Sequence, residues 1–232
     1  MEPDRAHLEP SPFNALPPVV VVMFFLIFGV ECVFAAGEAG LVGGPGAIGW
    51  RLWAIGEYGF APPVFNWMLN NGQWPLSEVM RFATYPFLHL GFVHMAFAAV
   101  IFLAMGKYVA EAMGAWVVPV IFFVCSFIGA LIYGALLNEE TWLVGAYPGA
   151  YGLIGAFTFV LWARARVTGQ AQLQAFSLIG FLMGIQLLFG LLFGTDNTWL
   201  AELAGFMTGF TLSFVLVPGG IKALLRKLRG SP

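Results

Sequence analysis

The sequence predicts an all-α membrane protein, a bundle of six transmembrane helices, and three observations support this fold class. Of the 232 residues, 60% are hydrophobic and only 9% are charged, whereas soluble domains carry about 25% charged residues. Six apolar runs are each close to the ~20 residues that a helix needs to cross ~30 Å of hydrocarbon. The connections between the runs are short except for the first. This composition excludes a soluble enzyme, and we expect no nucleic acid partner.

The apolar runs divide the chain into one membrane domain, residues 19–217, and two tails. The predicted spans are 19–36, 82–105, 115–137, 143–163, 171–193 and 199–217. Residues 1–18 are polar and proline-rich, which is typical of a disordered tail. Because acidic residues precede the first run, we interpret it as a retained span and not as a signal peptide. Residues 38–81 mix glycine, proline, tryptophan and charges, which predicts an interfacial loop with short helices at headgroup depth. Residues 218–232 are a basic tail.

The distribution of Lys and Arg predicts the orientation of the chain. With six spans, eight of the ten basic residues fall on one side of the membrane and two fall on the other. The eight are Arg5, Lys107, Arg164, Arg166, Lys222, Arg226, Lys227 and Arg229, and the two are Arg51 and Arg81. The positive-inside rule then places both termini in the cytoplasm. The long first loop lies outside, together with Glu139, Glu140 and Asp196. We expect a multi-pass protein of a bacterial inner membrane, in contact with membrane lipid.

Glycines at helical spacing predict where the spans touch, because small residues let helices approach closely in lipid. The small residues at such spacing are Gly145, Gly149, Gly152 and Ala156 in the fourth span, Gly180 and Gly184 in the fifth, and Gly205 and Gly209 in the sixth. We expect the fourth and sixth spans to form the tightly packed centre. Glu202 shares a helix face with the two glycines of the sixth span. An ionisable residue at membrane depth indicates a functional position, or else a hydrated or hydrogen-bonded carboxylate near the outer end of the span.

Other polar side chains in the apolar runs are weaker candidates. Glu31 lies near the outer end of the first span, where no small-residue stripe accompanies it. His89 and His94 lie in the second span, and a spacing of five residues rotates them by roughly 140° on one helix. We therefore predict no zinc site from this pair, and no cofactor. Cys32 and Cys125 both lie in apolar runs, and we interpret them as small core residues.

Three motifs, in order along the chain, resemble those of the rhomboid family of intramembrane serine proteases. In the second span the matching residues are Thr84, Phe87, His89, His94, Gly106, Glu111 and Gly114. The fourth span, GAYPGAYGLIGAF, resembles the family's Gly-x-Ser-Gly segment, and the sixth, AELAGFMTGF, resembles its Gly-His-x-Ala-Gly-x-x-x-Gly segment. The resemblance covers residues 19–217 and implies a six-span fold with a structured first loop. The family's Trp-Arg in that loop is altered, since Arg81 follows Met80.

The residues that the resemblance assigns to catalysis differ from the family pattern. Tyr147 stands where the family has its nucleophilic Ser, and Glu202 stands where it has the general-base His. Ala98 replaces the Asn that helps to bind the oxyanion, while His94, the other oxyanion residue, is kept. A serine–histidine dyad needs an unhindered hydroxyl and a base that works near neutral pH. A carboxylate with an unperturbed pKa of about 4.3 is a weak base, so we predict no intact catalytic site.

These features predict a rhomboid-like pseudoprotease that binds transmembrane segments of client membrane proteins, for retention, chaperoning or assembly. Because Tyr147 and Glu202 fall on facing helices, we expect their side chains to hydrogen-bond each other. One alternative is an active intramembrane serine-type protease with an unconventional site. Another is a small channel, a transporter or an assembly subunit of a membrane complex. The sequence shows no inverted repeat, which argues against transport.

Overall fold

The computed structural model describes residues 15–137, 141–193 and 197–220, and within them the chain is all-helical. The α-helices are α1 (Pro18–Glu38), α2 (Trp50–Tyr58), α3 (Pro62–Asn71), α4 (Leu76–Thr84), α5 (Phe92–Met113), α6 (Val117–Leu136), α7 (Tyr147–Thr168), α8 (Ser177–Phe193) and α9 (Trp199–Leu216). Short 3-10 turns cover Gly44–Gly49, Tyr85–Phe87 and Gln172–Phe176. The predicted tail 1–18 lies almost wholly outside the described residues. So do Glu139, Glu140 and Asp196, and the basic residues of the C-terminal tail.

The chain is a multi-pass integral membrane protein. Four helices in the described residues, α1, α5, α6 and α9, are long and apolar enough to cross a bilayer, which confirms four of the predicted spans. The other two predicted spans correspond to α7 and α8. Helix α7 has 22 residues but ends in a polar turn that carries Arg164 and Arg166, and α8 has 17 residues. Helix α8 is therefore shorter than the ~20 residues that a helix perpendicular to the membrane needs to cross it.

The second span begins later than the sequence predicts. Helix α4 ends at Thr84, and a 3-10 turn follows over Tyr85–Phe87. Pro86 in that turn has no N–H to donate to a continuing helix, so α5 starts only at Phe92. His89 therefore lies ahead of α5 and does not share a helix with His94. The predicted rotation between the two histidines was wrong, and their ring centroids are 5.5 Å apart.

The first loop contains three short helices, α2 to α4, of which α3 and α4 pack on α6 through a cluster of aromatic side chains. Phe60, Phe65, Phe82 and Tyr85 are buried there together with Tyr133 of α6. Phe60 also pairs with Leu143, the two residues exchanging backbone hydrogen bonds of 3.1 and 2.8 Å. This bridge ties the first loop to the segment that leads into α7.

Helices α7 and α9 are in backbone contact, as the glycines predict. A Cβ added at Gly205 would overlap the carbonyl oxygen of Pro148, and one added at Gly209 would overlap that of Gly152. Gly155, which the predicted stripe omitted, has the same relation to the carbonyl oxygen of Phe206. Such overlaps leave no room for a methyl group, so these glycines set the distance between the two helices.

The remaining predicted contact glycines have other roles. A Cβ added at Gly149 or Gly152 would overlap Phe122 or Cys125 of α6, so these two glycines also allow α6 to approach α7 closely. Gly145 precedes α7 and is not part of the helix. Gly180 and Gly184 have nothing within 4 Å of an added Cβ, so they mark no close helix contact. Of the two cysteines, Cys125 is buried as expected, but Cys32 is exposed, which corrects its interpretation as a core residue.

The described basic residues separate to opposite ends of the bundle. Arg51 contacts the backbone of His89, at the end where α5 begins. Arg164 contacts Tyr108, near the end where α5 finishes. Val20 lies against Gly106, so α1 starts at the same end as Arg164. The separation matches the sequence prediction, and the assignment of one end to the cytoplasm stays a prediction.

Candidate functional site

The site is built around the turn that leads into α7, and a backbone carbonyl and a histidine side chain from the α4–α5 connection hold its backbone. The Gly145 N–H donates to the Tyr85 carbonyl at 3.1 Å, and the Ala146 N–H donates to Nε2 of His89 at 3.3 Å. Gly145 has φ +105°, and an added Cβ would lie 2.9 Å from Cε1 of His94. Both the left-handed backbone and the crowding require glycine here. The turn is therefore fixed before α7 starts.

Tyr147, which the sequence motif predicts to stand at the position of the family's nucleophile, is the first residue of α7 and is half-buried. Its hydroxyl donates to the carbonyl oxygen of His94 at 2.9 Å. Its ring lies over the His94 ring, with centroids 4.8 Å apart and planes tilted by 34°. His94 in turn accepts a hydrogen bond at Nδ1 from the Leu90 N–H, at 3.3 Å. The phenolic proton is thus directed at a peptide carbonyl, which is not a base.

Glu202, which the sequence motif predicts to stand at the position of the family's general base, lies in the first turn of α9 and is 6% exposed. Its carboxylate interacts by charge with Tyr147. With Tyr151, one turn further along α7, it interacts by both charge and a side-chain hydrogen bond. The structure thus gives a different pairing from the expected one. The Tyr147 hydroxyl forms its hydrogen bond with the backbone of α5, and Tyr151 is the tyrosine of α7 whose side chain hydrogen-bonds Glu202.

His89 and Ala98 occupy buried positions beside this cluster. Burial, followed by the neighbouring His94, lowers the pKa of His89 to about 3, so its imidazole is neutral at pH 7. Since Nε2 accepts the Ala146 N–H, the proton of the neutral imidazole resides on Nδ1. Ala98 is fully buried among apolar side chains of α5 and α1, such as Phe102 and Ile27. Ala98, which the sequence motif predicts to stand in place of the family's Asn, is thus part of the apolar core.

Most of the other residues of the second-span motif make contacts between helices. The Thr84 hydroxyl donates to the Tyr58 carbonyl at 2.8 Å and so links α4 to the end of α2. Phe87 contacts the rings of Phe122 and Phe123 on α6. Gly106 lies 3.5 Å, measured from an added Cβ, from Val20 of α1. Gly114 ends α5 with φ +110°, and Glu111 is exposed in the last turns of that helix.

Sequence reasoning missed a charged cluster on the far side of His89. The buried Arg51 guanidinium donates to both oxygens of Glu31, at 2.8 and 2.9 Å, and to Glu38 at 2.7 Å. It also donates to the carbonyl of His89 at 2.7 Å. The hydrogen bonds with Glu31 raise the pKa of Arg51 against the opposing effect of burial. The spacing of the two glutamates, seven residues apart on one face of α1, was the available signal.

Arg81 makes a second connection within the first loop. Its Nη1 donates to the carbonyls of Gly56 and Gly59, at 2.8 and 3.0 Å. Its Nε bonds Glu78 on the same helix. The side chain therefore joins α4 to the last turn of α2. The first loop does contain a Trp followed directly by Arg, at Trp50 and Arg51, so the predicted alteration of that pair holds only for Arg81, which Met80 precedes.

The comparisons with known proteins agree with this architecture. Residues 76–219 match the rhomboid domain, and the chain belongs to the rhomboid family. That match runs from α4 to just beyond α9 and includes every site residue described above except those of the Arg51 cluster.

Three similar curated proteins are all from Arabidopsis thaliana. The chain is 29% identical to RHOMBOID-like protein 6, mitochondrial, over 141 residues, which cover 61% of the chain and 45% of that protein. It is 29% identical to RHOMBOID-like protein 1 over 140 residues, 60% of the chain and 35% of that protein. For RHOMBOID-like protein 7 the identity is 29% over 143 residues, 60% of the chain and 44% of that protein. The chain spans less than half the length of each.

Proposed function

We propose that this protein is a rhomboid-like pseudoprotease, which binds transmembrane segments of client proteins laterally and does not hydrolyse them. The observation that carries the proposal is the hydrogen bond from the Tyr147 hydroxyl to the carbonyl oxygen of His94. This hydrogen bond directs the hydroxyl at the predicted nucleophile position towards a peptide carbonyl, which cannot take its proton. Glu202, at the base position, interacts with tyrosine side chains of α7. Loss of the nucleophile or the base of a serine protease costs on the order of a millionfold in rate.

The arrangement of α5 and α8 supports a lateral site for a client helix. Helix α8 is anchored through its first turn, where Ile179 is buried with Tyr151, Ile154 and Phe206. Further along α8, Leu187, Leu188, Leu191 and Leu192 are exposed. The first half of α5 presents Phe92, Val93, Phe97 and Val100 in the same way. We propose that a client helix lies between these two apolar faces.

Tyr147 is suited to the inner wall of such a cleft. It is half-buried and lies at the start of α7, beside His94 of α5. Behind it, the backbone contact between α7 and α9 forms a firm support. A tyrosine here offers a flat apolar ring to a client side chain, and its hydroxyl is already satisfied. The cleft then binds by packing, which is the main source of helix association in lipid.

The proposal includes six spans with both termini in the cytoplasm of a bacterial cell. Helices α7 and α8 supply the two spans beyond α1, α5, α6 and α9. Helix α7 is enclosed by α5, α6 and α9, so it needs less apolar surface than a lipid-facing helix. The eight-to-two division of basic residues supports the orientation.

Site-specific photo-crosslinking in intact membranes tests the binding role. A benzophenone amino acid is placed at Phe97 or Leu188, which face the proposed cleft. The matched control is Phe25, 60% exposed on α1. We expect crosslinks to apolar segments of other membrane proteins from the two cleft positions and not from Phe25. Equal crosslinking from all three positions would contradict the lateral site.

Protease activity is tested on the purified protein with model transmembrane substrates and a fluorophosphonate probe. We expect no cleavage and no labelling. Specific labelling that is lost in Tyr147→Phe would instead establish an active protease with an unconventional site.

A further inference from the structure

Gln186 is a polar side chain in the interior of an apolar helix. Apart from Ser177 at the first position, every other residue of α8 is glycine or hydrophobic. At a rise of 1.5 Å per residue, about 10 Å of helix or more separates Gln186 from either end. With α8 as one of the six proposed spans, the carboxamide lies at the depth of the hydrocarbon. A polar group at that depth is costly unless it has a hydrogen-bond partner.

Gln186 lies on the face of α8 that packs against the bundle. On that face, Ile179 is buried beside Tyr151 of α7, and Leu182 and Met183 pack against the same cluster. Gln186 follows these last two residues by four and three positions, which places all of them on one side of the helix. Its side chain is half-buried, and its Oε1 is covered. The carboxamide is therefore on the inward side of α8 and not on its lipid-facing side.

The described part of the chain supplies no hydrogen-bond donor to Oε1 of Gln186. The helix itself has none to offer, because beyond its first turn each backbone N–H is bonded to a carbonyl of the preceding turn. The two tyrosines of the neighbouring cluster are engaged elsewhere: Tyr147 donates to the His94 carbonyl at 2.9 Å, and Tyr151 hydrogen-bonds Glu202. Lipid tails carry no donor. A donor that matches this acceptor therefore comes from another membrane protein.

A client helix that enters between α5 and α8 can reach the carboxamide. Ile185 and Leu187, which flank it on the helix surface, are 41% and 53% exposed. Helix α8 packs most closely on the 3-10 turn that precedes it, at its opposite end. The terminal torsion of a glutamine is broad, so either the oxygen or the nitrogen can turn towards a facing helix. A second carboxamide matches it best, because each then donates and accepts one hydrogen bond.

We propose that Gln186 determines the specificity of the cleft by selecting transmembrane segments that carry an Asn or Gln near the middle of the span. This inference rests on the proposed function and adds the feature that distinguishes a client from other membrane helices. The apolar faces of α5 and α8 fit any hydrophobic helix, whereas the carboxamide favours a helix that returns its hydrogen bond. Side-chain hydrogen bonds between membrane helices are modest, and one of average strength raises affinity about threefold.

Crosslinking to two matched model helices tests the proposal. The full chain, with a benzophenone amino acid at Phe97, is reconstituted in phosphatidylcholine vesicles with a leucine-rich single-span peptide. The central residue of the peptide is either Asn or Leu, and both peptides are kept dilute enough to be monomeric. The crosslinked fraction is measured against the peptide-to-lipid ratio. We expect the Asn peptide to reach half-maximal crosslinking at about one third of the ratio that the Leu peptide needs. Equal ratios would overturn the proposal.

Variants at two glutamines assign the preference to a position. Gln186→Leu should remove the preference for the Asn peptide and leave crosslinking of the Leu peptide unchanged. Gln186→Asn keeps a carboxamide and should keep part of the preference. The matched control is Gln174→Leu, because Gln174 is an exposed glutamine in the 3-10 turn ahead of α8. It should retain the full preference. If the preference survives in Gln186→Leu, or if Gln174→Leu removes it equally, Gln186 does not select the client.

The same measurement distinguishes a failure of this inference from a failure of the proposed function. If neither peptide crosslinks more from Phe97 than from Phe25, the lateral site itself is contradicted, and the role of Gln186 with it. Crosslinking of both peptides without a preference contradicts the role of Gln186 alone. If Gln186→Leu loses both peptides, the carboxamide supports the position of α8, and selection by Gln186 is again overturned.

Discussion

Arg51 holds the carboxylate of Glu31 with both of its terminal nitrogens, at 2.8 and 2.9 Å. The two residues come from the first loop and from α1, and both are buried. The same guanidinium donates to the carbonyl of His89, whose ring accepts the Ala146 N–H ahead of α7. A continuous set of contacts therefore connects the outer part of α1 to the turn that positions Tyr147.

Removing both partners of this ion pair should destabilise the protein less than the sum of the two single removals. A buried charge that loses its partner costs about 3–5 kcal/mol, whereas replacing a whole buried pair with apolar groups is often neutral. We expect Arg51→Met to lower the free energy of unfolding by that order, and Glu31→Leu to lower it by less, because Arg51 keeps its ion pair with Glu38. The double variant should lose less than the sum of the two. Equilibrium unfolding in mixed detergent micelles measures all three.

Arg166→Gln is the control for this series, since an exposed surface substitution normally changes stability within about 0.5 kcal/mol. Additive losses in the Arg51 and Glu31 double variant would show that the pair does not act as a unit.

Gly205 and Gly209 of α9 should tolerate no side chain, whereas Gly180 and Gly184 of α8 should tolerate a methyl group. An added Cβ at Gly205 or Gly209 would overlap a backbone carbonyl of α7, which no side-chain rotation can relieve. Overpacking of this kind costs about 1–3 kcal/mol or more. We expect Gly205→Ala and Gly209→Ala to lower the thermal unfolding midpoint clearly.

The matched controls are Gly180→Ala and Gly184→Ala, because an added Cβ meets nothing within 4 Å at either position. Alanine also favours a helix by up to about 1 kcal/mol over glycine. These two variants should be neutral or slightly stabilising. A loss as large as that of the α9 variants would show that α8 packs more closely than the structure indicates.

His89 should make the protein less stable in acid. Its pKa of about 3 in the folded protein lies below the value of about 6.5 for an unperturbed histidine. Between these two pH values the unfolded chain binds a proton that the folded chain does not. The stability is therefore fully present above about pH 6.5 and declines as the pH falls towards 3, by up to about 1.4 kcal/mol for each pH unit.

The pH dependence of unfolding in His89→Asn, compared with the unmodified protein, checks this expectation. The groups that bear on His89 are His94 and Arg51, and both stay in place in the variant. We expect a shallower slope between pH 4 and 6. An unchanged slope would assign the acid sensitivity to other groups.

The sequence predicts the helical fold and the α7–α9 centre because both depend on local patterns. Apolar run length identifies spans, and glycine spacing identifies close contacts. The start of α5 was harder to predict, because residues 82–91 (FATYPFLHLG) are mainly apolar and lead directly into the helix, and only Pro86 and Gly91 in them disfavour helix. Sequence alone also gave too little weight to Glu31. Its partner Arg51 is 20 residues away, and no spacing rule joins a helix to a side chain in a loop.

The partner of Tyr147 was equally beyond the reach of sequence. Helix faces show that Tyr147 and Glu202 are near each other, but not which acceptor the hydroxyl finds. The answer depends on the Gly145 turn, whose left-handed backbone brings the start of α7 against His94. The choice between two acceptors a few ångströms apart is a matter of tertiary geometry.

The final prediction concerns which tyrosine of α7 is coupled to Glu202. Because the Tyr147 hydroxyl bonds the His94 carbonyl, Tyr147→Phe should lose one hydrogen bond whether or not Glu202 is present. Hydrogen bonds between membrane helices average about 0.6 kcal/mol. We therefore expect coupling between Tyr147→Phe and Glu202→Gln below about 0.3 kcal/mol, the usual limit for independent sites. Tyr151→Phe and Glu202→Gln should be coupled by about 0.5 kcal/mol or more, since Tyr151 interacts directly with the carboxylate. Double-mutant cycles of detergent unfolding measure both values, and stronger coupling at Tyr147 than at Tyr151 would reverse the assignment.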